Sequence, residues 1–116
     1  MSRDWRLHLR DMIGFCQRIQ QYADGLPASS FFAHEMAYDA IVRNVELLGE
    51  AARQIPPDIR DQTPQVAWRE IVGLRNVLIH SYFGIDDEIL WDVVTVRVPA
   101  LVLALESFAA TLVDEE

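Results

Sequence analysis

Residues 73–84 read GLRNVLIHSYFG, and this stretch decides both the helical pattern and the place to look for chemistry. Leu74, Val77, Leu78, Ile79 and Phe83 supply the apolar face of a buried helix. Arg75, Asn76, His80 and Tyr82 sit among them. On an ideal helix Arg75 and Tyr82, seven apart, stack nearly on one line, and Asn76 and His80, four apart, stack on another. Arg75 and His80 diverge by about 140° around the axis. They therefore flank a strip instead of sharing one, and the apolar residues between and around them must face the bundle.

Each polar residue has a structural explanation of its own. Arg75 can pair with a carboxylate on a neighbouring helix, such as Glu46 or Glu50. A histidine near a helix end can bond a carbonyl or complement the dipole. A tyrosine can bury its ring and leave its hydroxyl in water. Four together on one short helix are costly unless partnered, and such clusters often mark function. Their chemistry is specific. Arginine binds phosphate as a bidentate fork and offsets charge in a transition state. Histidine transfers protons near neutral pH. RNA brings its own nucleophile, the ribose 2′-hydroxyl, so its cleavage needs no serine, cysteine or metal.

Outward from this stretch the period stays helical. Residues 3–23 place Trp5, Leu9, Met12, Ile13, Cys16, Ile19 and Ala23 at helical spacing, and Asp24–Pro27 stops that helix. Ser29 or Ser30 is expected to cap a second helix running to about Gln54 and ending at Ile55–Pro57. A linker with one short turn follows. Pro64 then begins a third helix that reaches about Phe83, with Gly84 as its stop. Asp86, Asp87 and Glu88 put negative charge at the start of a fourth helix. Pro99 is expected to kink or split that helix near Val98. The β-branched run at 93–98 has no partner strand elsewhere, so helix is retained. The expected fold is all-α, an antiparallel bundle of four to five helices, as one domain over residues 1–116.

Composition narrows the function. The 116 residues carry a formal charge of −8, and all ten basic residues are arginine. That balance opposes nonspecific binding to nucleic acid or to anionic membranes. By sequence, no apolar run is expected to approach the roughly 18–20 residues that cross a bilayer. The N-terminus lacks a signal-peptide core, so a cytoplasmic protein is expected. Cys16 is the single cysteine, which excludes an internal disulfide, and it belongs on the buried face of the first helix. No ligand set for a metal is apparent: His8 and His34 read as surface or packing residues. No cofactor is expected.

The segment RNVLIHSY has the pattern R-N-x-x-x-H-x-Y. It resembles the signature of the HEPN superfamily, and more closely that of the HepT-like toxins paired with MntA-like antitoxins. YDAIVRNVELLGEAA (Tyr38–Ala52) resembles the same family's D-A-[VI]-x-R-x-x-E-x-x-G-E-A helix. DDEILWDVV (Asp86–Val94) resembles the start of its last helix, and Pro99 falls where the family often has proline.

The resemblance implies a HEPN-like symmetric dimer with two motif helices facing each other across a cleft. It implies that Arg75 and His80 form a ribonuclease centre and that Asn76 binds or orients substrate. It implies that Tyr82 accepts AMP from a small nucleotidyltransferase antitoxin, which silences the toxin. The expected function is thus the toxin of a type VII HepT/MntA-like toxin–antitoxin pair, a metal-independent ribonuclease acting on RNA. The alternative is a non-catalytic nucleotide-binding or transferase-partner module. Arg43, Glu46 and Glu50 share one helix face. They form either a local salt-bridge ladder or a set that orients Arg75 or His80. Gly49 suits a close approach between helices.

Overall fold

Asp4 starts the first helix by accepting the Arg6 N–H on its carboxylate at 2.9 Å. In the computed structural model, which describes residues 4–74, 76 and 86–113, that helix, α1, spans Trp5–Ala23. It ends in a turn where Gly25 takes φ 77°, a conformation that a side chain disfavours. Leu9, Met12, Cys16 and Ile19 are its buried residues, so the helical period of the sequence is the period of the core.

The expected second helix is two helices. α2 covers Ala28–Ala33 and α3 covers Glu35–Arg53, with His34 between them at φ −90° and ψ 89°. Ser29 and Ser30 therefore lie inside α2 and do not cap it. The cap of α3 is His34, whose Nδ1 accepts the Ala37 N–H at 3.2 Å. An imidazole nitrogen here does the work usually done by a serine or aspartate oxygen. The break lets Phe31 turn into the core, where it is fully buried.

α4, Pro57–Asp61, is the short turn expected in the linker. Arg60 folds back from it and donates to the carbonyls of Ala52 (3.1 Å), Arg53 (3.2 Å) and Ile55 (2.9 Å). Those are carbonyls at the end of α3 and just beyond it, which have no partner within the helix. α5 begins at Trp68, not at Pro64, and runs to Val72. Pro64 and Gln65 form a turn instead. The reason is Thr63: fully buried, it accepts the indole N–H of Trp68 at 2.9 Å. That bond, together with burial of Val66, holds residues 63–67 off the helical path.

α6, Asp87–Asp92, continues through a π-helical turn, Val93–Arg97, into α7, Val98–Val113. Asp86 caps it, accepting from Glu88 (3.1 Å) and Ile89 (3.2 Å), as the acidic run suggested. The helix is not split at Pro99. Proline lacks the N–H that would bond four residues back. The widened turn just before it lets the Val98 N–H reach the Val93 carbonyl, five back, so the helix passes the proline intact.

Asp87–Leu112 is thus one helix of 26 residues, long and apolar enough by length and composition to cross a bilayer. This corrects the sequence reading that no apolar run approaches a span. Its buried face, Leu90, Val94, Val98, Val102 and Leu105, belongs to the same core as α1 and α3. α3 contributes Ile41, Val45, Leu48 and Ala52. Burial of each large aliphatic side chain stabilises the bundle by about 1.5–3 kcal/mol. The fold is an all-α bundle, with no strand among the described residues.

Candidate functional site

Three elements border the polar stretch in the described structure, α3, α5 and α6, and α3 meets both of the others. At its near flank α5 lies against α3 at Gly49. A Cβ placed on Gly49 would stand 3.1 Å from the Ile71 carbonyl oxygen and 3.8 Å from that of Val72. A glycine suits so close an approach, as the sequence suggested; any side chain here would need the α5 backbone to give by a few tenths of an ångström. Trp68 and Ile71 are buried against the core, and Trp68 is fastened to Thr63. α5 therefore delivers the chain to Leu74 in a fixed place.

Of the four polar residues of the stretch, Asn76 is described: it is helical and exposed, so its amide faces solvent. Arg75, His80 and Tyr82 lie outside the described residues. At the far flank the chain resumes at Asp86 and Asp87. Here the Tyr38 hydroxyl, from the first turn of α3, donates to an Asp87 carboxylate oxygen at 2.6 Å. Partial burial of the ring, then this bond and the charges of Asp87 and Asp39, push the Tyr38 hydroxyl up to about 12. It is a proton donor throughout the physiological range.

The Tyr38 ring is seated in an aromatic group. Phe31 lies 5.7 Å from Tyr38 and 5.2 Å from Trp91, and Phe32 lies 6.0 Å from Trp91, centroid to centroid. These spacings suit tilted ring packing.

Beside α5, a groove of about 720 Å³ opens between α5 and the last helix. Leu48, Ile71, Leu74, Val93 and Leu101 line it. Arg97 crosses its rim, bonding Glu70 of α5 at 2.6 Å and Asp92 of α6 at 3.2 Å. Two carboxylates offset this guanidinium, and they raise its pKa further, chiefly through Asp92. Arg97 therefore adds little net attraction for a phosphate.

On α3, Arg43 pairs with Glu46 at 3.7 Å, both partly in solvent, which is the local rung expected from their spacing. Glu50 is exposed. His34 is committed to its cap, and among the described residues no group of acidic, histidine or cysteine side chains is arranged to hold a metal. Cys16 is buried, and burial followed by the charge of Glu106 pushes its thiol up to about 12, so it is not a nucleophile at neutral pH.

Sequence reading did not find Tyr38–Asp87, Arg60 on the end of α3, or Thr63–Trp68. The first joins residues 49 apart, and no local period signals such a pair. One hint existed: Tyr38 and Asp87 lie in the two further segments that carried the family resemblance.

The helical bundle, with its polar stretch delivered by α5 and received by α6, defines a small all-α protein of the HEPN type. The chain belongs to the ribonuclease HepT-like family, whose model matches residues 12–108. It is 38% identical over 100 residues to a protein of Methanocaldococcus jannaschii named as a candidate RNase, covering 86% of this chain and 92% of that one. A second such protein of that organism is 32% identical over 115 residues, covering 99% and 95%. A protein of Thermococcus cleftensis named as a candidate ribonuclease HepT is 32% identical over 101 residues, covering 87% and 92%. No solved structure matches the chain.

Proposed function

We propose that this protein is a metal-independent endoribonuclease of the toxin type, with its centre in the Arg75–Tyr82 stretch. The observation that carries the reading is the family match. It runs from residue 12 to residue 108 and so takes in the whole polar stretch together with the helices that hold it. The exposed, helical Asn76 is consistent with a site open to a large substrate.

In this scheme Arg75 clamps the scissile phosphate, and Asn76 orients it. His80 takes the proton from the ribose 2′-hydroxyl as that oxygen attacks phosphorus. The P–O5′ bond breaks, and the departing oxygen receives a proton from a second imidazole. The products are a 2′,3′-cyclic phosphate and a 5′-hydroxyl. A homodimer supplies the second imidazole as His80 of the partner subunit, and paired arginines give local positive potential inside an acidic shell.

Tyr82 is the regulatory residue: a MntA-like nucleotidyltransferase antitoxin transfers AMP to its hydroxyl. A bulky anion there would fill the cleft and repel RNA phosphate. Arg43, Glu46 and Glu50 are candidates for orienting Arg75 or His80 from α3.

The purified protein and its His80→Ala variant, incubated with RNA, test the centre. Loss of the acid–base group lowers the cleavage rate by about 10²–10⁴-fold. Cleavage at the wild-type rate by the variant refutes the enzymatic reading. Mass spectrometry after co-expression with a transferase encoded beside it tests the switch, and an unmodified Tyr82 removes it while leaving the nuclease. The charge of −8, which opposes binding of RNA, leaves one other reading, a nucleotide-binding or transferase-partner module without cleavage. Nucleotide binding by a wild-type protein that leaves RNA intact would establish it.

A further inference from the structure

α3 touches both flanks of the polar stretch. At Gly49 it receives α5, with the Ile71 carbonyl oxygen 3.1 Å from where a Cβ would stand. At Tyr38 it receives Asp87 through a 2.6 Å hydrogen bond. Eleven residues of one rigid helix separate these two points, about 16 Å at the helical rise. The near flank is held by packing. The far flank is held by this hydrogen bond together with the buried Leu90 of α6 and the Phe31, Phe32 and Trp91 rings. Asp87 stands only five residues after Tyr82 and seven after His80.

That contact differs from the other ion pairs and polar bonds nearby. Arg97 also ties α5 to α6, through charged groups at exposed positions. Tyr38–Asp87, also at an exposed position, is a neutral hydroxyl donating to a carboxylate, a directional bond from a half-buried ring. Its donor comes from a two-torsion ring already fixed by its neighbours. Asp86 beside it is spent on capping α6, which leaves Asp87 free to look outward toward α3.

We propose that Tyr38 is a positioning residue for the ribonuclease: its hydrogen bond to Asp87 ties the start of α6, the helix that follows residues 75–82 in the chain, to α3. This rests on the ribonuclease reading above. Tyr38 touches no reacting atom. Its effect is geometric, and small misplacement of catalytic groups costs rate steeply.

The test compares RNA cleavage by wild type, Tyr38→Phe, Asp87→Ala, the double variant and Asp87→Asn, with His80→Ala alongside. Tyr38→Phe keeps the ring and removes only the donor. It lowers kcat about tenfold and leaves KM within about twofold. Asp87→Ala has the same effect, and the double variant is no worse than either single one. Asp87→Asn, which retains an acceptor oxygen, recovers most of the loss.

An unchanged kcat in Tyr38→Phe, or an effect on KM alone, overturns the proposal. So does a double variant whose losses multiply. Full cleavage by His80→Ala refutes the site reading instead. Cleavage lost in His80→Ala but intact in Tyr38→Phe refutes only the positioning role. Amide exchange supplies a readout independent of RNA: the N–H groups of Glu88, Ile89 and Leu90 exchange faster in Tyr38→Phe. Unchanged exchange there overturns the anchor whatever the activity.

Discussion

Gly49→Ala perturbs the contact that places α5, and two opposing effects set its outcome. Gly49 is inside α3, so alanine gains up to about 1 kcal/mol of helix propensity. Against this, the new Cβ would stand 3.1 Å from the Ile71 carbonyl oxygen, where ordinary contact begins at 3.4 Å. About 0.3 Å must be taken up in a close-packed interior. The obstacle is backbone and cannot rotate away as a side-chain end would. α5 cannot yield freely either, because Trp68 is bonded to Thr63 and Ile71 is buried.

Overpacking of this kind costs about 1–3 kcal/mol. The net expectation is destabilisation of about 0–2 kcal/mol, or a fall in Tm of up to about 8 °C for a domain of this size. Activity should fall by more than that stability change, because α5 leads straight into Asn76. Urea denaturation and RNA cleavage on the same preparation measure both. A variant with a raised melting temperature and unchanged cleavage would refute the argument, since propensity alone would then be operating.

The remaining predictions concern the buried polar groups. Thr63→Val keeps the shape of a fully buried residue but removes the acceptor of the Trp68 indole N–H. It should cost about 1–3 kcal/mol in denaturant unfolding, and Thr63→Ser less; a valine variant as stable as wild type would show that bond to be dispensable. Cys16 is held protonated toward about 12 from an ordinary 9.0, so above that ordinary value the unfolded chain binds fewer protons than the native one. The stabilising contribution is complete below about pH 9 and is lost as pH rises toward the native value. Tyr38, raised from 10.0 to about 12, adds a loss of the same sign above its own ordinary value. Denaturation of wild type and Cys16→Ala between about pH 8.5 and 10 isolates the thiol, and parallel slopes for the two would contradict its role.

Helical period made the core legible in advance. Leu9, Met12, Cys16 and Ile19 follow each other at three and four residues, and a buried stripe needs nothing more than that spacing. The start of α6 was legible too, because three consecutive acidic residues suit a helix N-terminus. Helix ends were less so. Ser29 and Ser30 are good caps by type, yet His34 capped the next helix, because burying Phe31 decided where the chain turned. Pro64 is a good first helical residue, yet the Thr63–Trp68 bond moved the start of α5 to Trp68.

The polar stretch itself, with its R-N-x-x-x-H-x-Y spacing and the family it points to, was already decided at the level of sequence, because all of its residues fall between Arg75 and Tyr82 of one continuous segment. What holds that stretch was decided only in three dimensions. Gly49 against Ile71, Arg60 on the carbonyls at the end of α3, and Tyr38 on Asp87 are contacts between helices. Local propensity and period describe how a segment folds on itself. They hold no information about which polar atom of a distant helix will arrive within 3 Å, and the packing of the bundle alone supplies it.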